Sequence, residues 1–287
     1  MRLMVFLTSL LIILSTSFCT PAQVLNIQDG IKLFDQKQYE KAQVHFQSLF
    51  EKHPDNADVA CYLGKSALAS GDYGKAVEVL EKAVKIDSTR GDCYYVLGLA
   101  YARTIPEVGV LKKVGVAKKM QGAMLSAVRL DAKNSDARIS LISFYLSAPG
   151  FAGGSLDEAK KHLAMLKEQS PDRAFIIEGS VLEKEEKYGE AEAVFRKGMQ
   201  ESRTPINVFN LAGYLMRRKQ FDEAISLFNE YLAMDSGWLE PKKAGAYFML
   251  GLIYQEKKMQ KESEEAFHAA LILHPDQWME KEIKKRF

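Results

Sequence analysis

Cysteine is scarce in this chain, at three in 287 residues. That excludes a disulfide-dense miniature scaffold, and no CxxC spacing occurs. Proline is scarce too, at eight, and neither a low-complexity tract nor a single-sign charge block interrupts the sequence. Nothing therefore marks a disordered region. Charge excess is missing: 39 lysines and arginines face 37 acidic residues, a net of +2. This gives no electrostatic case for a nucleic-acid partner. There is no HExxH and no GxSxG. The histidines, His45, His53, His162, His268 and His274, form no metal-ligand pattern. The expectation is a protein that is not an enzyme and has no catalytic residues, no metal and no cofactor.

What is present divides into a leader and a long remainder. Arg2 precedes an almost wholly apolar run from Leu3 to Leu14. Thr20-Pro21-Ala22 then places small residues at the −3 and −1 positions before Gln23. That layout predicts a signal peptide over 1–22, cleaved after Ala22. The run is short of the roughly 20 residues that a spanning helix needs. An uncleaved anchor and a lipid-modified Cys19 are the alternatives, and Phe18 is bulky where a lipoprotein signal wants a small residue. The leader is the ground for expecting export, to a periplasm or cell envelope. After cleavage Cys61 and Cys93 remain. They are read as two small buried helix residues, with a disulfide as the alternative.

The remainder repeats itself. In residues 57–90, Leu63-Gly64, Ala67, Gly71, Tyr73, Ala76, Leu80 and Ala83 fall at fixed offsets. Thirty-four residues earlier stand Gly30, Leu33, Tyr39, Ala42, Phe46 and Leu49. Thirty-four later stand Tyr94, Leu97-Gly98 and Tyr101. Further copies carry Leu141, Tyr145 and Ala159; Gly179, Leu182, Tyr188 and Ala191; Leu211, Phe221 and Ala224; and Leu250-Gly251, Phe267 and Ala270. The pattern resembles the tetratricopeptide repeat (TPR) family over nearly the whole chain after the leader. Departures from the family pattern are the missing early Trp, Met120 and Ser263 in place of Ala, and Glu178 in place of Leu.

The resemblance implies an all-α, right-handed solenoid of about seven helix-turn-helix units. Their boundaries are about 23–56, 57–90, 91–134, 135–171, 172–204, 205–243 and 244–277. Each unit is a helix A and a helix B that cannot bury their apolar faces alone, so neighbours stack. Small residues, Gly64, Gly98 and Gly251 on helix A and Ala42, Ala76, Ala159, Ala191 and Ala224 on helix B, are expected to let the two helices approach. Residues 278–287, with Trp278, Met279, Ile283 and Phe287 at helical spacing, read as a capping helix.

Two insertions interrupt the period. In GFAGGS (150–155) no Lys follows the glycines, so a nucleotide loop is not supported. The reading is a structural turn, closed by Ser155 and Glu158 as a capping box. In 102–119, Pro106 is expected to end helix A. Val108, Leu111, Val114 and Ala117 then form a short amphipathic helix beside Lys112, Lys113, Lys118 and Lys119. That insertion is read as packed on its own repeat, with a docking role as the alternative. The two insertions should emerge on one edge.

The resemblance further implies binding in a groove lined by helix-A positions, with Tyr62, Lys65, Tyr95, Arg103, Ile176, Phe209, Asn210, Arg217 and Phe248 as candidates. Leu99, Ile139, Ser143, Gly213 and Leu252 lie on the same face. Lys65, Asn210 and Arg217 are only fragments of the family's carboxylate clamp. The expected partner is a protein or peptide, held without covalent chemistry. The alternatives are a membrane-tethered assembly factor, anchored by the leader or by 102–119, and an enzyme with an unrecognised site.

Overall fold

The computed structural model describes residues 26–287. The leader, its boundary at Ala22 and Cys19 lie outside the described residues. Within them there are fifteen α-helices and no strand. The helices pair in chain order: α1 (Ile27–Asp35) with α2 (Tyr39–Lys52), α3 (Ala57–Ser70) with α4 (Tyr73–Ile86), and α5 (Gly91–Thr104) with α6 (Val110–Leu130). Then come α7 (Ser135–Ser147) with α8 (Leu156–Gln169), α9 (Pro171–Lys184) with α10 (Tyr188–Glu201), α11 (Pro205–Arg217) with α12 (Phe221–Ala233), and α13 (Lys243–Glu256) with α14 (Gln260–Ile272). A single helix, α15 (Gln277–Lys284), follows. Each helix packs on its pair partner and on the next pair, which makes an α-solenoid.

One local device recurs in the pairs. A Cβ added at Gly30 would come 2.5 Å from the Phe46 ring, and at Gly64 2.3 Å from Leu80. The same holds for Gly98 against Met124, Gly179 against Phe195 and Gly251 against Phe267, at 2.7, 2.6 and 2.4 Å. The helix-A glycine is thus a socket for a large helix-B side chain. That corrects the picture of two backbones merely drawing close. Replacing such a glycine by alanine overpacks the pair, which typically costs about 1–3 kcal/mol. The helix-B alanines Ala42, Ala76, Ala159, Ala191 and Ala224 are fully buried.

The departures from the repeat pattern have local explanations. Ser263 is buried, and its hydroxyl donates to the Gly251 carbonyl at 3.0 Å. Glu178 pairs with Lys167 of α8. Met120 is buried among the neighbours of α6.

The A–B turns share a conformation. Lys37, Gly71, Glu186, Lys219 and Lys258 each have positive φ, between 59° and 95°, two residues before helix B begins. Only one of the five is the glycine that this region favours.

Repeat three departs from the expected local structure. No separate short helix forms over 108–117. Pro106 does follow the end of α5, but α6 then runs unbroken from Val110 to Leu130. No proline follows Pro106 to stop it, and Gly115 is tolerated inside the helix. Leu111, placed on the apolar stripe, is 98 % exposed; Ala117, Met120 and Met124 form the buried face. In repeat four the glycine segment is a 3-10 turn (Gly150–Ala152). The N–H groups of Ala152, Gly153, Gly154 and Ser155 donate to the carbonyls of Pro149, Gly150, Pro149 and Tyr145. Those four are therefore spent on the turn rather than free for a phosphate. Ser155 caps α8 by accepting from the Glu158 N–H at 3.2 Å, while Glu158 itself pairs with Lys161. Against Gly153 lies Gln121 of α6, two residues beyond the 102–119 insertion, so this contact is not one between the two insertions.

The buried apolar residues fall into three clusters. One runs from Phe34 to Val181, a second from Ala191 to Ala266, and a third joins Phe248, Phe267 and Ala270 to Met279 and Ile283 of α15. The seam between the first two lies in repeat five, where Glu178 stands on helix A. α15 covers the last repeat with Met279 and Ile283, and Trp278 meets Phe248 edge to face at 5.8 Å. Its outward side carries the Lys284–Glu280 and Lys285–Glu282 pairs.

Cys61 and Cys93 are not two independent apolar residues. They form a disulfide between α3 and α5, with a Cα–Cα distance of 5.6 Å. They sit at nearly the same place in adjacent units, 32 residues apart. Closing a loop of that length contributes about 3–4 kcal/mol through unfolded-state entropy.

The superhelix also closes on itself. Lys37, in the first turn of the stack, pairs with Asp235. The Tyr73 hydroxyl is hydrogen-bonded to Asp276, and Lys242 donates to Tyr73 at 2.8 Å and lies 3.1 Å from Asp276. Repeats one and two therefore touch the connections on either side of repeat seven.

Candidate functional site

The helix-A residues look into the space enclosed by this closure. A cleft of about 610 Å³ is lined by Tyr95 and Leu99 of α5, Asp136, Ile139 and Ser140 of α7, Arg173 and Ile176 of α9, and the 235–240 segment. A second cavity of about 300 Å³ adjoins it beside Tyr62, Lys65, Arg90 and Asp92. The walls are apolar helix faces from successive repeats, and the polar groups are mostly paired across them. Arg90 binds Asp58 and Asp92, and Arg173 binds Asp136. Burial, with the Asp136 charge adding, pushes the Tyr95 phenol well above its ordinary value. The Asp136 hydrogen bond raises the Arg173 guanidinium. Both side chains therefore hold their ordinary forms throughout the neutral range.

The candidates separate into two groups. Tyr62, Lys65, Tyr95 and Ile176 come together on the cleft walls, joined by Leu99 and Ile139. Arg103 faces the closure instead, where its charge helps lower the Asp276 carboxyl. The others each make contacts within the chain. The Phe209 ring packs edge-on to Phe228 and Tyr231 at 5.5 and 5.0 Å. Phe248 is buried beneath Trp278 and Phe267. Asn210 donates to the Ile176 carbonyl at 3.2 Å, and Arg217 grips Glu183 with two hydrogen bonds of 2.8 and 2.7 Å. Ser143 donates to the Ile139 carbonyl of its own helix.

The sequence reading missed Asp136 and Arg173, which stand 37 residues apart in adjacent units. Their opposite charges at near-repeat spacing were the available signal. It also missed Trp238, whose connection lies outside the repeat pattern.

The 105–113 segment forms a third feature. Pro106, Glu107 and Lys113 face Leu252, Trp278 and Lys281 across a gap of about 800 Å³. The insertion thus leans toward the C-terminal cap as well as on its own repeat. No helix among the described residues is long and apolar enough to cross a membrane.

A stack of paired helices with glycine sockets, a shared turn conformation and an inward-facing cleft defines a helical-repeat solenoid. Two family models described as tetratricopeptide repeat match the chain, over residues 33–92 and 209–277. Both matched stretches are tetratricopeptide repeats. Its fold is similar to the crystal structure of a tetratricopeptide repeat protein from Parabacteroides merdae ATCC 43184, with TM-score 0.65 and 15 % identity, covering 90 % of this chain and 96 % of that one. It is also similar to Cut9–Hcn1, an APC/C hetero-tetramer, with TM-score 0.58 and 17 % identity, covering 91 % of this chain and 48 % of that one. No curated protein matches the chain in sequence. Repeats of this family in general mediate binding of protein partners, and such chains are generally scaffolds rather than enzymes.

Proposed function

We propose that this chain is an exported scaffold that holds a peptide or helix of a partner protein on its concave face, in a cell envelope. The observation that carries the reading is the cleft formed by Tyr95, Leu99, Ile139 and Ile176 with the Asp136–Arg173 pair. Apolar helix faces supply area there, and a small number of placed polar groups supply orientation. Recognition needs no covalent step, because the walls are already built and only water has to leave. Export is supported by the layout of residues 1–22 and by the Cys61–Cys93 disulfide, a bond that persists in oxidising compartments.

The test is affinity capture from the envelope fraction of the source cell, with wild type and a Leu99→Ser/Ile176→Ser variant as bait. Both positions line the cleft and are only partly buried. The expected result is a specific partner whose recovery falls at least tenfold with the variant, at unchanged helical circular dichroism. Equal recovery by the two baits would overturn the reading. Mass spectrometry of the mature N-terminus is expected to begin at Gln23.

A further inference from the structure

The connection between repeats six and seven, Met234 to Lys242, is longer than the four residues or fewer that join the other repeats. It crosses the concave opening and lays its middle on repeats one and two. Trp238 meets Phe34 edge to face at 5.6 Å. The Lys65 ammonium stands 5.4 Å from the Trp238 ring, 5.0 Å from Phe34 and 5.8 Å from Tyr62. Asp235 pairs with Lys37, whose ammonium also donates to the Ser236 carbonyl at 3.3 Å. Leu239 follows along the wall shared with Tyr95 and stays 42 % exposed.

These contacts differ in kind from the rest of the fold. Elsewhere helix packs on helix through sockets and alanines. Here a non-helical segment, turned at Trp238 and Leu239, reaches repeats one and two through side chains and one carbonyl. Its own turn is held by the Glu240 N–H donating to the Gly237 carbonyl at 3.2 Å and by the Gly237 N–H donating to the Glu240 carboxylate. The receiving surface is also incomplete. Lys65 makes no ion pair among the described residues, although burial pushes its ammonium below the ordinary value. Three rings hold it by cation–π attraction. Asp92 and Asp35 act on it only from a distance, so the ammonium has room for a directly bonded carboxylate.

We propose that Phe34, Lys37, Tyr62 and Lys65 form a docking site for a turn-forming peptide of a partner protein, one with an aromatic residue followed by an aliphatic one and an acidic residue on either side. The segment from Asp235 to Glu240 is the built-in competitor for that site. The segment itself specifies the chemistry: Asp235, Trp238, Leu239 and Glu240 present acid, aromatic, aliphatic and acid in order. The proposal rests on the concave-face reading and adds the partner's character to it. A competitor held at high effective concentration lowers the apparent affinity by the fraction of sites that it leaves open. A partner must therefore match its chemistry and exceed its grip.

Two measurements on the full chain test this. In the first, Trp278→Phe leaves Trp238 as the sole tryptophan, and the peptide Met-Asp-Ser-Gly-Phe-Leu-Glu-Pro is added. The expected result is a red shift of Trp238 emission as its ring leaves Phe34 for water. In the second, a fluorescein-labelled copy of that peptide is titrated by polarisation. It is expected to bind an Asp235→Ala/Trp238→Ala variant at least tenfold more tightly than wild type, and Lys65→Ala added to that pair is expected to remove the gain. Equal binding to wild type and the double variant, binding to neither, or binding with an unshifted Trp238 overturns the proposal. Those outcomes leave the wider cleft standing, since the Leu99 and Ile176 baits decide it separately. If the double variant loses its helical signal, the emission measurement decides alone.

Discussion

Arg138 is 3 % exposed and has no carboxylate partner among the described residues. It donates to the Ala132 carbonyl at 2.9 Å and meets His162 Nδ1 at 3.3 Å, while its Nε has no partner. A guanidinium only donates, so His162 Nδ1 must accept, which fixes the neutral ring with its proton on Nε2. Burial, and then the Arg138 charge, push the His162 imidazole below its ordinary value. In the unfolded chain that ring takes a proton near pH 6.5. The unfolded state therefore binds more protons below that pH, and stability falls as pH drops through it. Urea midpoints at pH 7.5 and 5.5 should show a smaller drop for His162→Leu than for wild type; equal drops would mean that His162 does not titrate differently on folding. The sequence showed that His162 lies on a B helix. It did not show Arg138 across from it, because one helix's periodicity says nothing about which neighbour its buried face meets. The same limit explains Phe209 and Phe248. Their place in the repeat faces the groove in an average unit, whereas here Phe209 packs edge-on to Tyr231 and Phe248 is buried beneath the cap helix.

Elements repeat, and so do their imperfections. Glu186 and Lys258 hold left-handed backbone without a glycine's tolerance. Neither makes an ion pair or side-chain hydrogen bond among the described residues. Glu186→Gly and Lys258→Gly should each stabilise the fold by about 0.5–1 kcal/mol, since relief of the strain outweighs the added freedom of the unfolded chain. A thermal melt rising by roughly 2–4 °C per substitution would bear this out, and a fall in either would show the turns to be unstrained. The paired helices were legible in the sequence because Gly, Ala and turn aromatics recur at a fixed interval. α6 was not, since the stretch after Pro106 read as a short insertion helix of its own. A single helix instead runs from Val110 to Leu130. The disulfide left a signal that was undervalued: two cysteines one repeat apart on stacked A helices.

At the scale of the molecule, a period of thirty-four describes neighbours and is silent about partners two hundred residues away. The Tyr73–Asp276–Lys242 contact and the Trp238 segment were therefore invisible in the sequence, although both decide how much of the concave face is open. Burial would raise the Asp276 carboxyl, but the Tyr73 hydroxyl and the Lys242 ammonium outweigh it and hold the group below its ordinary value. Its contribution is complete above the unfolded value of about 3.9 and is lost as pH falls through and below it. Asp276→Asn at neutral pH should reproduce part of that loss, about 1–3 kcal/mol, because Tyr73 and Lys242 lose a charged partner. Small-angle scattering should show a larger radius of gyration for the variant and for wild type near pH 3. An unchanged radius in both would mean that the superhelix stays closed without this contact.

A stacked array ordinarily frays from its two ends, since each terminal unit has one neighbour. Here the second unit leans on the chain on both sides of the seventh, so the polymer has a clasp where it would have loose tips. Amide exchange in α3 and α4 should then slow or quicken together with that in α13 and α15. A necklace comes apart at its fastener first, and only afterwards bead by bead.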